Sequence, residues 1–157
     1  MDVLLVVYKT MLLPLLCYGI LLWGGGYKTV IRLGRIIQND ALRAIFGLRR
    51  RDSVSSLFKQ HDLLPIEIIY RVHVALLSFK ISKGKIPCDV ALPIAAVTKR
   101  FDRRPTTFVL PFSLLETSRQ ALAYRLPQVW GSLPSEIRSL NSGNMFVRAV
   151  SHSYMKN

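Results

Sequence analysis

Apolar residues crowd the start of the chain. From Val3 to Trp23 the sequence reads VLLVVYKTMLLPLLCYGILLW, with Lys9 as its only charge. The run predicts a helix that is kinked or divided near Pro14, because proline lacks the amide proton the helical ladder needs. Gly24, Gly25 and Gly26 should stop it. A block this apolar needs a cover of protein or lipid, and the expectation is burial under its own downstream helices.

A second helix is predicted from Lys28 to Leu48, with its polarity sorted at helical spacing. Lys28, Arg32, Arg35, Asn39 and Arg43 fall on one side, and Val30, Leu33, Ile37, Ala41, Ala44 and Leu48 on the other. The basic side is either a stripe that meets successive phosphates or an ordinary solvated face. Arg49, Arg50 and Arg51 follow Gly47. They either suit the negative end of the helix dipole or extend the stripe.

Asp52 or Ser53 reads as the N-cap of a short helix, Val54 to His61. The turn Leu63-Leu64-Pro65 leads into a third long helix, Ile66 to Lys83. Its narrow polar line is Glu67, Arg71, Ser78 and Ser82, with Glu67 placed to pair with Arg71. His73 lies off that line and reads as a hydrogen-bonded core histidine. Gly84 and Pro87 end the helix.

From Cys88 to Thr117 the periodicity fades under Pro93, Pro105 and Pro111. A second basic cluster, Lys99, Arg100, Arg103 and Arg104, falls in this stretch. Beyond it, Ser118 to Leu126 could be extended, with short helical turns at Pro127 to Ser132 and Ser135 to Leu140. A final helix from Asn144 to about Tyr154 carries Phe146, Val150 and Tyr154 on one side. The expected fold is therefore all-α: a small helical bundle over 1–84, a loosely structured basic connection over 85–117, and a short helical C-terminal segment over 118–157 packing on the bundle.

Charge narrows the partner class. Lys and Arg total 22 against 9 Asp and Glu, a net charge of +13 over 157 residues. That excess points to nucleic acid or an acidic membrane surface. Cys17 and Cys88 form no CxxC pair, which reads as a reduced, intracellular chain without structural zinc. The N-terminus has neither the basic start nor the small-residue cleavage site of a secretory signal.

The nine carboxylates include no adjacent pair, and no phosphate-loop, dinucleotide or nucleophile-elbow motif occurs. No enzyme activity, cofactor or metal is expected on these grounds.

Two stretches carry a resemblance. One is Leu13-Pro14 through Tyr18-Gly19 and Trp23-Gly24, followed by Arg35-Ile36-Ile37-Gln38-Asn39-Asp40-Ala41-Leu42-Arg43-Ala44-Ile45 and Gly47. The other is Tyr124-Arg125-Leu126-Pro127-Gln128-Val129-Trp130-Gly131-Ser132-Leu133-Pro134-Ser135-Glu136-Ile137-Arg138. Together they resemble the region after the polymerase domain in jockey-like non-LTR retrotransposon reverse transcriptases. That family has a P-x-L-x-YG-x-x-x-WG helix, an LQ-x-x-A-L-R helix, a Leu-Leu-Pro turn before a long apolar helix, and an LWNSLP-x-x-I segment. Gly131 departs from the family's Asn, and the [FY]-A-D-D aspartate motif is absent.

The resemblance implies a thumb-like bundle lying along a template–primer duplex. It further implies a non-catalytic fragment with general, salt-sensitive nucleic-acid binding. Lys28, Arg32, Arg35, Arg43, Arg49, Arg50, Arg51, Arg103 and Arg104 are the candidate phosphate-contacting residues. Tyr18, Trp23, Trp130 and Leu133 are read as core packing, with base stacking as the other use of the tryptophans. Two alternatives remain: a small basic protein anchored by a membrane span at 3–23, and a decayed open reading frame with no selected function.

Overall fold

The structure is a computed structural model describing residues 2–86 and 121–156. The described residues are predominantly helical and contain no strand, so the chain is all-α. The basic connection from residue 87 onward, including Cys88, Lys99, Arg100, Arg103 and Arg104, lies outside the described residues, as do 118–120. The chain divides into two compact units, Met1–Tyr70 and Arg71–Asn157.

In the first unit the leading apolar block is not one helix. It comprises α1 (Asp2–Val7), a π-helical turn (Tyr8–Leu12), α2 (Leu13–Cys17) and α3 (Ile20–Trp23). The π turn is the local answer to Pro14, which has no N–H for the carbonyl one turn back. The coil widens just before it, and the Leu13 N–H reaches back five residues to the Tyr8 carbonyl. The Thr10 hydroxyl donates to the Val6 carbonyl at 2.8 Å, giving that acceptor a second kind of partner.

A second break, not foreseen from Pro14, falls at Tyr18-Gly19. Tyr18 is extended (φ −61°, ψ 121°) and Gly19 is left-handed (φ 62°, ψ 16°), a region open to glycine without steric cost. The Trp23 indole N–H donates to the Tyr18 carbonyl at 3.0 Å, so the tryptophan closes the break that the glycine permits. Gly24 then lies against Tyr70, where an added Cβ would sit 2.6 Å from Tyr70 Cδ2 and 2.6 Å from the Ile20 carbonyl oxygen.

Helix α4 (Lys28–Phe46) ends at left-handed Gly47 (φ 64°). Its inward face differs from the expectation. Gly34, Gln38 and Leu42, spaced four apart, are its buried residues, while Val30, Leu33, Ile36 and Ile37 are exposed. The reason is local. Gly34 has no side chain, so the Trp23 ring and Ile66 can come close; a Cβ there would sit 3.3 Å from the indole. Gln38 is drawn inward by backbone groups beside Pro65. Its amide donates to the Leu64 carbonyl at 2.9 Å and to the Tyr8 hydroxyl at 2.8 Å, and its oxygen accepts the Ile66 N–H at 2.9 Å. One side chain thus joins three segments by satisfying buried polar groups.

The core beside it is Tyr8, Leu42, Val54, Phe58 and Leu63, with Leu5, Leu12, Leu13, Ile45 and Phe46 packed against it. Phe58 comes from α5 (Ser55–Gln60), whose N-cap position is Val54 rather than Asp52 or Ser53. The expected burial of the leading block is only partial. Tyr8, Leu16 and Ile20 are buried, but Val3, Leu4, Val6, Val7, Met11, Leu15 and Leu22 are exposed. So is Tyr18, at 84%, which corrects its reading as a core residue.

Helix α6 (Ile66–Ser82) crosses the division between the units, and its later part belongs to the second. That unit also holds α7 (Leu122–Ser132), α8 (Ser135–Ser139) and α9 (Gly143–Lys156). Residues 122–126 are helical, not extended, and α7 runs on through Pro127. Phe79 and Phe146 stack with centroids 4.5 Å apart, and Trp130 stacks on Phe146 at 6.1 Å. Leu126, Leu133, Phe146 and Val150 are buried, as expected for Leu133 and for the inner side of α9. Ser78 is also fully buried, its hydroxyl donating to the Val74 carbonyl at 2.9 Å. Of the polar line along α6, Ser78 is therefore buried, Glu67 and Ser82 are half-buried, and Arg71 is exposed.

Candidate nucleic-acid interface

The cations form two groups, separated by what binds them. Arg35 and Arg43 are engaged. Arg35 Nη1 donates to the Glu67 carboxylate at 2.8 Å, and its guanidinium lies 5.7 Å from the Phe58 ring centroid. Glu67 therefore pairs with Arg35 rather than with the predicted Arg71. Arg71 instead lies 5.9 Å over the Tyr154 ring. Arg43 Nη1 donates to Asp40 at 2.7 Å, and its Nε donates to the Asp52 carbonyl at 3.1 Å. These two members of the predicted stripe are tied into the fold.

Lys28, Arg32, Arg49, Arg50 and Arg51 are exposed, with no side-chain partner among the described residues. Lys28 opens α4, where the helix dipole is positive. A cation there gains nothing from the dipole, so helix electrostatics does not explain it. The three arginines occupy a turn after Gly47. That turn is closed in both directions: the Arg49 N–H donates to Asp52 Oδ2 at 2.8 Å, and the Asp52 N–H donates to the Arg49 carbonyl at 3.0 Å. Because Arg43 holds the Asp52 carbonyl, an engaged member of the predicted stripe anchors the loop that carries three free arginines.

Lys59, exposed in the last turn of α5, is a cation that the periodicity argument passed over. Its signal was proximity in sequence to the arginine run, not helical spacing. Arg103 and Arg104 lie outside the described residues. The tryptophans serve packing: Trp23 lies against Gly34 and donates its N–H internally, and Trp130 stacks on Phe146.

Other candidate chemistry is sparse. Burial raises the Cys17 thiol pKa, disfavouring the reactive thiolate. Among the described residues no three His, Cys, Asp or Glu side chains are grouped to hold a metal ion. No described helix is long and apolar enough to cross a membrane.

The described residues are thus helical, with a folded arginine turn and free cations on α4. Compared with protein-family models, curated proteins and solved structures, the chain matches none.

Proposed function

We propose that this chain is the non-catalytic, thumb-like part of a retrotransposon reverse transcriptase and binds nucleic-acid duplexes through phosphate contacts. The observation that carries the binding is the exposure of Lys28, Arg32, Arg49, Arg50 and Arg51 without a described carboxylate partner. Free guanidinium and ammonium groups are what a phosphate backbone recruits, with displacement of its condensed counterions. The family assignment rests on the ordered motifs. The local geometry supports it by giving Tyr18-Gly19, Trp23-Gly24 and Gln38 distinct structural tasks.

Binding is non-specific, because contacts to phosphates carry no sequence information. Titration of duplex binding against salt tests the proposal. Five phosphate contacts give a slope of log K against log salt of roughly −4 to −5. Reversing Arg32, Arg49, Arg50 and Arg51 to Glu should flatten that slope while the thermal transition stays in place. Absence of low-salt binding, or a response independent of salt, removes the proposal.

A further inference from the structure

The first unit carries an apolar surface that the proposed duplex contacts do not use. Val3, Val7, Met11 and Leu15 recur every fourth residue and are 75%, 44%, 69% and 71% exposed. Tyr18, at the Gly19 break, and Leu22, after it, are both 84% exposed. Isolated exposed apolar residues are ordinary, but a sustained row marks a contact surface.

The charges around the row say what it meets. Between Asp2 and Asp40 the sequence contains no carboxylate, whereas Lys9, Lys28, Arg32 and Arg35 lie within that interval. Lys9, Lys28 and Arg32 are exposed. Exposed Tyr18 and Tyr27 add side chains with an apolar body and a polar tip, which suit the boundary between hydrocarbon and water. An aliphatic row whose sequence neighbourhood holds these cations and, after Asp2 at its start, no carboxylate before Asp40 complements an anionic lipid headgroup layer. It is a poor match to a second copy of a chain that carries +13.

The broken geometry sets the depth. The backbone stays helical from Asp2 to Cys17 through the π turn, 16 residues, then breaks at Tyr18-Gly19 before the four residues of α3. No unbroken stretch reaches the roughly twenty residues of a span. We infer that the first unit lies in the surface of an anionic bilayer, with Val7, Met11, Leu15 and Leu22 inserted among the acyl chains and Lys9 and Lys28 at the headgroups. This is peripheral seating, distinct from a spanning anchor.

The experiment is co-sedimentation of the full chain with phosphatidylcholine vesicles, with and without phosphatidylglycerol. Binding should be at least about tenfold tighter to the anionic vesicles, and the double variant Met11→Glu/Leu15→Glu should lose at least about tenfold. Both positions are largely exposed, so the variant should keep its circular dichroism and its duplex-binding titration. Equal binding to both vesicles, or undiminished binding by the folded double variant, overturns the inference. A dimer in sedimentation velocity that this variant dissociates also overturns it, in favour of a second copy on the row. If the variant unfolds, quenching of wild-type tryptophan by acyl-brominated lipid decides, and unquenched fluorescence overturns the inference. Duplex binding is scored separately, so either reading can fail without the other.

Discussion

Arg35 and Glu67 join α4 to the first turn of α6 through a 2.8 Å ion pair. Their side chains are 36% and 38% exposed, so solvent screens much of the attraction. The pair contributes on the order of 0.5–1 kcal/mol, with some further packing of the guanidinium on Phe58. Arg32, one turn earlier, has no described partner. Arg35→Ala should therefore lower the urea midpoint by the equivalent of about 1 kcal/mol and weaken duplex binding only slightly. Arg32→Ala should do the reverse. Equal effects of the two variants on binding would contradict the division between bound and free cations.

Arg43 and Asp52 hold the arginine turn in a fixed shape. Asp52→Ala removes the acceptor for the Arg49 N–H while leaving every guanidinium in place. The charge count rises by one, which by itself would tighten duplex binding. If presentation of the arginines matters, binding should instead weaken about two- to fivefold, in line with a hydrogen bond worth about 0.5–1 kcal/mol. Tighter binding by Asp52→Ala would mean that charge counts and shape does not.

Gln38 is fully buried and meets three polar groups from two other segments, Tyr8 and the Leu64–Ile66 stretch. Gln38→Leu keeps approximate volume but orphans the Ile66 N–H and weakens the environment of the Leu64 carbonyl. Each unsatisfied buried group costs about 1–3 kcal/mol, so a loss of about 2–4 kcal/mol is expected in chemical denaturation. A neutral result would mean that water reaches the site.

Gln38 also shows where sequence reading succeeded and where it stopped. Helix existence was legible in α4 and α6, whose long patterns are flanked by glycine or proline, and in α9, whose Phe146, Val150 and Tyr154 share one side. The facing of α4 was not: spacing groups Val30, Leu33, Ile37, Ala41, Ala44 and Leu48 on one side, but the buried residues are Gly34, Gln38 and Leu42. Gly34 and Gln38 face inward for other reasons: one for the space it leaves, one for the backbone it satisfies. The break at Gly19 was hidden for a similar reason, since Pro14 was the conspicuous breaker and the left-handed residue came five positions later. Exposed cations were legible as types but not as free or engaged. For Arg35 that distinction depends on Glu67, remote in sequence; for Arg43 it depends on Asp52 and on Asp40, three residues earlier on the same helix.

Gly24 tests the close approach that ends the leading segment. A Cβ at this position would meet both the Ile20 carbonyl oxygen and the Tyr70 ring at 2.6 Å. The carbonyl belongs to the backbone and cannot rotate aside. Gly24→Ala should cost about 2–3 kcal/mol through overpacking. Gly26→Ala, whose nearest contact is the Trp23 carbonyl oxygen at 3.2 Å, should cost less. A thermal-melt comparison of the two variants checks the order, and an equal or reversed order would contradict the packing of Tyr70 on Gly24.

Tyr8 makes the first unit sensitive to alkaline pH. Its hydroxyl accepts the Gln38 amide at 2.8 Å in the core. Burial raises the phenol pKa above the ordinary 10.0, an effect that the Gln38 hydrogen bond opposes and the neighbouring Cys17 adds to. The folded state thus holds the phenolic proton more tightly than the unfolded chain does. By linkage, that contribution is complete below the unfolded pKa and is lost as pH rises through the higher folded one. Other tyrosines and lysines titrate in the same window, so wild type must be compared with Tyr8→Phe. The difference in urea midpoint should be constant up to about pH 10 and then fall, with wild type losing stability relative to the variant. A difference independent of pH through that range would place the Tyr8 hydroxyl in water rather than against Gln38.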